Sequence, residues 1–137
     1  MLPALSLLAI VAMGCGDRSG TNGPAADNKA PAQQIPMILE VHEPPANQLR
    51  EISKNPDAVL IEKTVRGLPW SDITFVVLKV DDNNWIEGSG SLNPRDGLSA
   101  RYMKGGKEHV SARAPKSLDE IIALLQSYRS GDDWWQN

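Results

Sequence analysis

Between Ile73 and Ala112, three turn signals separate four short runs that each read as a β-strand, and this stretch constrains the fold more than any other. The run from Ile73 to Val80 is β-branched, aromatic and aliphatic, and it stops at Asp81-Asp82-Asn83-Asn84. A second run starts at Trp85-Ile86-Glu87. Glycine and turn residues from Gly88 to Gly97 lead into a third run, Leu98 to Met103, which turns through Gly105-Gly106 into His109-Val110-Ser111-Ala112. Runs spaced this closely pair with their sequence neighbours, which predicts an antiparallel meander.

The faces of these strands follow from alternation. Ile73, Phe75 and Val77 alternate with Thr74, Val76 and Leu78, so the first run is apolar on both sides and reads as a central strand. In the second, Trp85, Glu87 and Ser89 share one face, and Ile86, Gly88 and Gly90 share the other, where the missing side chains let another backbone approach closely. Leu98, Ala100 and Tyr102 form the expected core face of the third, with Ser99 and Arg101 outside.

Ser117-Leu118-Asp119-Glu120 has the form of a capping box with an acidic first turn. Leu118, Ile121, Ile122, Leu125 and Tyr128 then recur at helical spacing, and Gly131 is the stop. This apolar stripe needs an apolar surface to cover, and the meander supplies it. Ahead of the meander, Met37 to Val41 reads as an opening strand ended by Pro44-Pro45. The spacing then predicts a short helix over 46–54, with Ala46, Leu49 and Ile52 on one side and Asn47, Arg50, Glu51 and Lys54 on the other, stopped by Asn55-Pro56-Asp57. Ala58-Val59-Leu60-Ile61 reads as another strand, followed by the Gly67-Leu68-Pro69-Trp70 corner. The expectation is a single α+β domain over residues 37–137, with an antiparallel sheet of about five or six strands and two helices, the C-terminal one packed on the sheet.

The N-terminus has a different character. Leu2 to Met13 is an apolar stretch of signal-peptide length, too short to span a bilayer as a mature helix. Ala12-Met13-Gly14-Cys15 resembles the bacterial lipobox, in which the cysteine is lipidated and becomes the new N-terminus. Cys15 is the only cysteine, so no intramolecular disulfide or thiolate-rich metal site can form. Residues 1–14 are therefore expected to be a lipoprotein signal peptide, with acylated Cys15 anchoring the chain to a membrane of the bacterial cell envelope, periplasmic or outer. Each buried methylene of the acyl chains contributes ~0.8 kcal/mol to that attachment. Residues 15–36 carry Gly, Ser, Thr, Asn, Pro, Ala and Gln with hardly an aliphatic side chain, a composition that cannot offset the entropy of ordering. They read as a flexible tether with a root-mean-square reach of ~25 Å.

Chemistry can be sought by elimination. His42 and His109 lie far apart in sequence and lack metal-ligand spacing. Gly88-Ser89-Gly90-Ser91 has the composition of a nucleophile elbow but ends a strand without opening a helix. Asp81 and Asp82 are ordinary turn formers. A net charge of -3 gives no case for nucleic acid. No catalytic residue, metal or cofactor is expected, and the chain reads as a non-enzymatic protein. The four tryptophans stand out in a chain with one phenylalanine and two tyrosines. Indole rings are frequent interface anchors. Trp85, Glu87, Trp134 and Trp135 are the candidate partner contacts, with Asp132 and Asp133 as steering charges. Against this stands the reading that Trp134 and Trp135 fold back to close the core.

Phe75-Val76-Val77-Leu78, Trp85-Ile86-Glu87-Gly88, Gly97 to Tyr102, Ser117 to Glu120 and Tyr128 to Trp134 together resemble the first-numbered immunity-protein family of bacterial polymorphic toxin systems. The resemblance covers roughly residues 60 to 135. It implies an α+β fold and a protein that neutralises a cognate toxin, often a nucleic-acid deaminase, by occlusion. In that family the motif is of Trp-Glu type, whereas here Ile86 stands between Trp85 and Glu87. The alternative expectation is an envelope lipoprotein with a structural or adapter role.

Overall fold

The computed structural model describes residues 35–43, 45 and 48–136. The expected signal peptide, Cys15 and the tether up to residue 34 lie outside the described residues. Six strands form one antiparallel sheet: β1 (Ile38–His42), β2 (Arg50–Lys54), β3 (Thr74–Asp81), β4 (Asn84–Gly90), β5 (Leu98–Lys104) and β6 (Lys107–Val110). Their spatial order is β2-β1-β3-β4-β5-β6. The meander accounts for β3 to β6, each strand pairing with the next. β1 lies between β2 and β3 and pairs with both.

Two helices cover one face of the sheet: α1 (Ala58–Gly67) and α2 (Leu118–Ser130). Register explains which face they choose. Leu39, Leu78, Ile86 and Tyr102 line up across β1, β3, β4 and β5, and Val41, Val76, Gly88 and Ala100 form the neighbouring row. These apolar rows meet Ile61 and Val65 of α1 and Ile121, Ile122, Leu124 and Leu125 of α2 in one core. Gly88 marks the closest approach: a Cβ there would stand 2.6 Å from Cγ2 of Ile121. What approaches Gly88 is thus a helix side chain; the close backbone expected of these glycines is found at Gly90, where a Cβ would stand 2.1 Å from the Gly97 carbonyl oxygen.

α2 forms as its sequence predicts. The Ser117 hydroxyl accepts from the Glu120 N–H at 3.3 Å, and the Glu120 carboxylate accepts from the Lys116 N–H at 2.9 Å. Gly131 takes the left-handed conformation that ends the helix, with φ 77°.

Two neighbouring segments exchange their expected structures. Residues 50–54 are strand β2 instead of the end of a helix, and residues 58–61 open helix α1 instead of forming a strand. The helical spacing of Leu49 and Ile52 loses to the free ladder edge of β1, against which β2 pairs from Ile38 to Val41 with a bulge between Leu39 and Glu40. The β-branched look of Ala58 to Ile61 loses to an N-cap: the Asp57 carboxylate accepts from the Leu60 N–H at 2.7 Å. Ile61, Val65 and Leu68 then fall at helical spacing and are all buried. Asn55 makes the turn between these elements with φ 53°, and its side-chain oxygen accepts from the Met37 N–H at 3.0 Å. α1 is tied to α2 by Arg66 to Asp119 at 2.7 Å and by the Gln126 amide donating to the Ala58 carbonyl at 3.1 Å.

Candidate functional site on the helix-free sheet face

No helix lies on the other face of the sheet, and alternation fills it with a different chemistry. One row runs Glu51, Glu40, Val77, Glu87, Arg101 and Val110 from β2 to β6. The adjacent row runs Ile38, Lys79, Trp85, Met103 and Glu108. Residues from all six strands, scattered in sequence, are thereby gathered into one patch.

Arg101 is its centre. Its Nε and Nη2 donate to the two carboxylate oxygens of Glu87 at 2.9 and 3.1 Å, and its Nη1 donates to Glu108 at 3.1 Å. The guanidinium also lies over the Trp85 ring, 5.8 Å from its centroid, within cation–π range. The bonds from Glu87 raise the Arg101 pKa above its ordinary value, against the opposing effect of partial burial. The Glu87 side chain is only 8% exposed, and this fork of donors supplies both of its oxygens with hydrogen bonds. Beside it, Lys79 Nζ sits 3.0 Å from the Glu40 carboxylate.

These two ion pairs flank a groove of about 210 Å³. Val77, 6% exposed, lies at its bottom, Leu49 and Trp85 form apolar walls, and Asp82 stands at the rim. Among the described residues, no group of three or more His, Cys, Asp or Glu side chains is placed to hold a metal ion, and no helix is long and apolar enough to cross a membrane.

The structure brings Trp85 and Glu87 together on this face and sets the C-terminal candidates elsewhere. Trp135 is buried in the core on the helix-covered side, edge-on to Tyr102 at 4.7 Å and to Tyr128 at 5.1 Å. Trp134 opens a short 3-10 turn, Trp134–Gln136. Asp132 accepts from the hydroxyls of Ser127 and Ser130, and Asp133 accepts from the Gln136 amide, so both serve the end of α2. Trp70 is also inside, its indole N–H donating to the Val65 carbonyl at 2.6 Å.

Sequence reasoning placed Arg101 on the outer face of its strand but did not join it to Trp85 and Glu87. Its register opposite Glu87 carries that information. Lys79 stands opposite Trp85 across the β3–β4 hairpin, whereas Glu40 enters the site only through the pairing of β1 with β3, a contact between segments more than thirty residues apart. Compared with protein-family models, curated proteins and solved structures, the chain matches none.

Proposed function

We propose that this chain is a non-enzymatic protein-binding domain that offers the helix-free face of its sheet, centred on Trp85, to a protein partner. The observation that carries the reading is the position of Trp85: it lines an open groove within a network of ion pairs, while Trp70 and Trp135 are used up in the core. A rigid indole beside fixed charges gives large contact area with orientation, the combination found at binding hot spots. Trp85 and Glu87, the residues that carry the motif of the immunity-protein resemblance, face the same groove, which makes a toxin neutralised by occlusion the first partner to test. The adapter alternative uses the same face on an envelope protein. In both readings the domain is held at a membrane through Cys15.

The test compares the full chain with its Trp85→Ala variant in affinity capture from native cells solubilised in mild detergent, followed by mass spectrometry. One dominant partner should be retained by the wild type and lost by the variant, with the thermal midpoint moving by only a few degrees. Equal capture by both chains would rule out this face as the interface. Cys15→Ser should move the protein from the membrane fraction to the soluble one, and unchanged partitioning would remove the anchor from the reading.

A further inference from the structure

The helix-free face is not electrically balanced. Register sets Glu51 of β2 directly across from Glu40 of β1, and like charges opposite one another weaken a strand pair. Lys79 offsets Glu40, but Glu51 makes no ion pair among the described residues, nor does Asp82 at the groove rim. Arg101 is engaged by two carboxylates, Glu87 and Glu108, which take three of its five N–H donors and already outweigh its single charge. Among the described residues of this face, Lys54 is the one cation that, like Glu51 and Asp82, makes no ion pair, and it stands on the outermost strand, so a surplus of negative charge remains.

The shape of the groove narrows what can meet that surplus. A volume of about 210 Å³ is far too small for a helix, which is about 10–12 Å across with its side chains, and suits a single long side chain. Its walls of leucine, valine and indole suit an alkyl stem, and its rim suits a positive head.

We propose that the groove between Leu49 and Trp85 receives an arginine or lysine side chain of the protein partner, its stem on Val77 and the Trp85 ring and its cation toward Asp82 and the Glu40–Glu51 pair. The proposal deepens the reading of this face as a partner surface and rests on it. The partner is thus a protein with an exposed basic side chain at the centre of its own interface. Binding relieves the repulsion between Glu40 and Glu51, and part of the affinity is therefore lost in high salt.

The test titrates isotope-labelled full chain with N-acetyl-arginine methylamide and its lysine counterpart, using the citrulline compound as a neutral control of the same shape. The Trp85 indole N–H resonance should shift saturably with the two cationic probes, in the millimolar range expected of a fragment. The citrulline compound should bind more weakly, and added salt should weaken the cationic probes. Asp82→Asn and Glu51→Gln should each reduce affinity by about two- to fivefold, as for exposed ion pairs, without moving the thermal midpoint. Equal binding by the citrulline compound, or no saturable shift at Trp85 up to on the order of 50 mM probe, would overturn the basic occupant. If Trp85→Ala abolishes capture while the cationic probes leave the indole unmoved, the face stands as an interface and its basic occupant falls. If capture survives Trp85→Ala, both readings fall together.

Discussion

The two faces of this sheet are built from the same strands, yet they are held by different physics. On the helix-covered face Leu39, Leu78, Ile86 and Leu125 are fully buried, and close packing does the work. On the helix-free face Glu87 and Val77 are nearly as buried, but what shields them is long side chains: Arg101, Lys79, Trp85 and Leu49. Burial by packed helices is rigid and contributes to stability, whereas burial by surface side chains can be undone by a partner. Two residues of similar exposure on opposite faces are therefore expected to answer mutation differently.

The largest effect should come from the covered face. Trp135→Ala should cost about 3–5 kcal/mol and Leu125→Ala about 2–5 kcal/mol in chemical denaturation, because each leaves a cavity among buried neighbours. A loss below about 0.5 kcal/mol at both would break the distinction between the faces. Next, Gly88→Val adds volume where Ile121 already touches the sheet and should cost about 1–3 kcal/mol, while Val110→Thr, at a position 74% exposed on the other face of the sheet, should leave stability within about 0.5 kcal/mol.

A third expectation concerns alkaline pH. Burial first, and the Asp81 carboxylate second, push the Tyr128 phenol up from 10.0 to about 12. The folded state thus favours the neutral phenol, so the stability it contributes is fully present below the unfolded value and is lost as pH rises from about 10 to about 12. Denaturation curves on either side of that window should show wild type losing more stability than Tyr128→Phe. Parallel losses would assign the alkaline transition to other groups.

Of the two tryptophan replacements, the smaller effect on stability is expected at Trp85. Trp85→Ala removes a partly buried ring and its contact with Arg101, the contact worth about 0.5–1 kcal/mol, and should leave the fold cooperative. A loss comparable to that of Trp135→Ala would make the helix-free face as structural as the covered one.

How much of this was legible in the sequence depends on the distance over which the deciding interaction acts. The meander and α2 are specified locally, by alternation, by turn residues and by the Ser117 cap, and they form as expected. Residues 46–61 are not: whether Arg50 to Lys54 is helix or strand depends on the edge of β1, which a local pattern does not contain. The cap at Asp57 was a usable signal, since Asp followed by Ile61, Val65 and Leu68 at helical spacing outlasts the four-residue run that imitates a strand. The site was half legible. Trp85 and Glu87 lie two residues apart on one strand, while Arg101, Glu40 and Lys79 join them only through register.

The placement of β1 has a mechanical consequence. Any load arriving from the N-terminal side enters the domain at Met37, where the Asn55 side chain and backbone grip the chain, and passes into a strand flanked on both sides by ladders. An edge strand can be peeled away one hydrogen bond at a time. β1 cannot leave the sheet without parting from β2 and β3 together, so a domain pulled by its leading end resists as a whole.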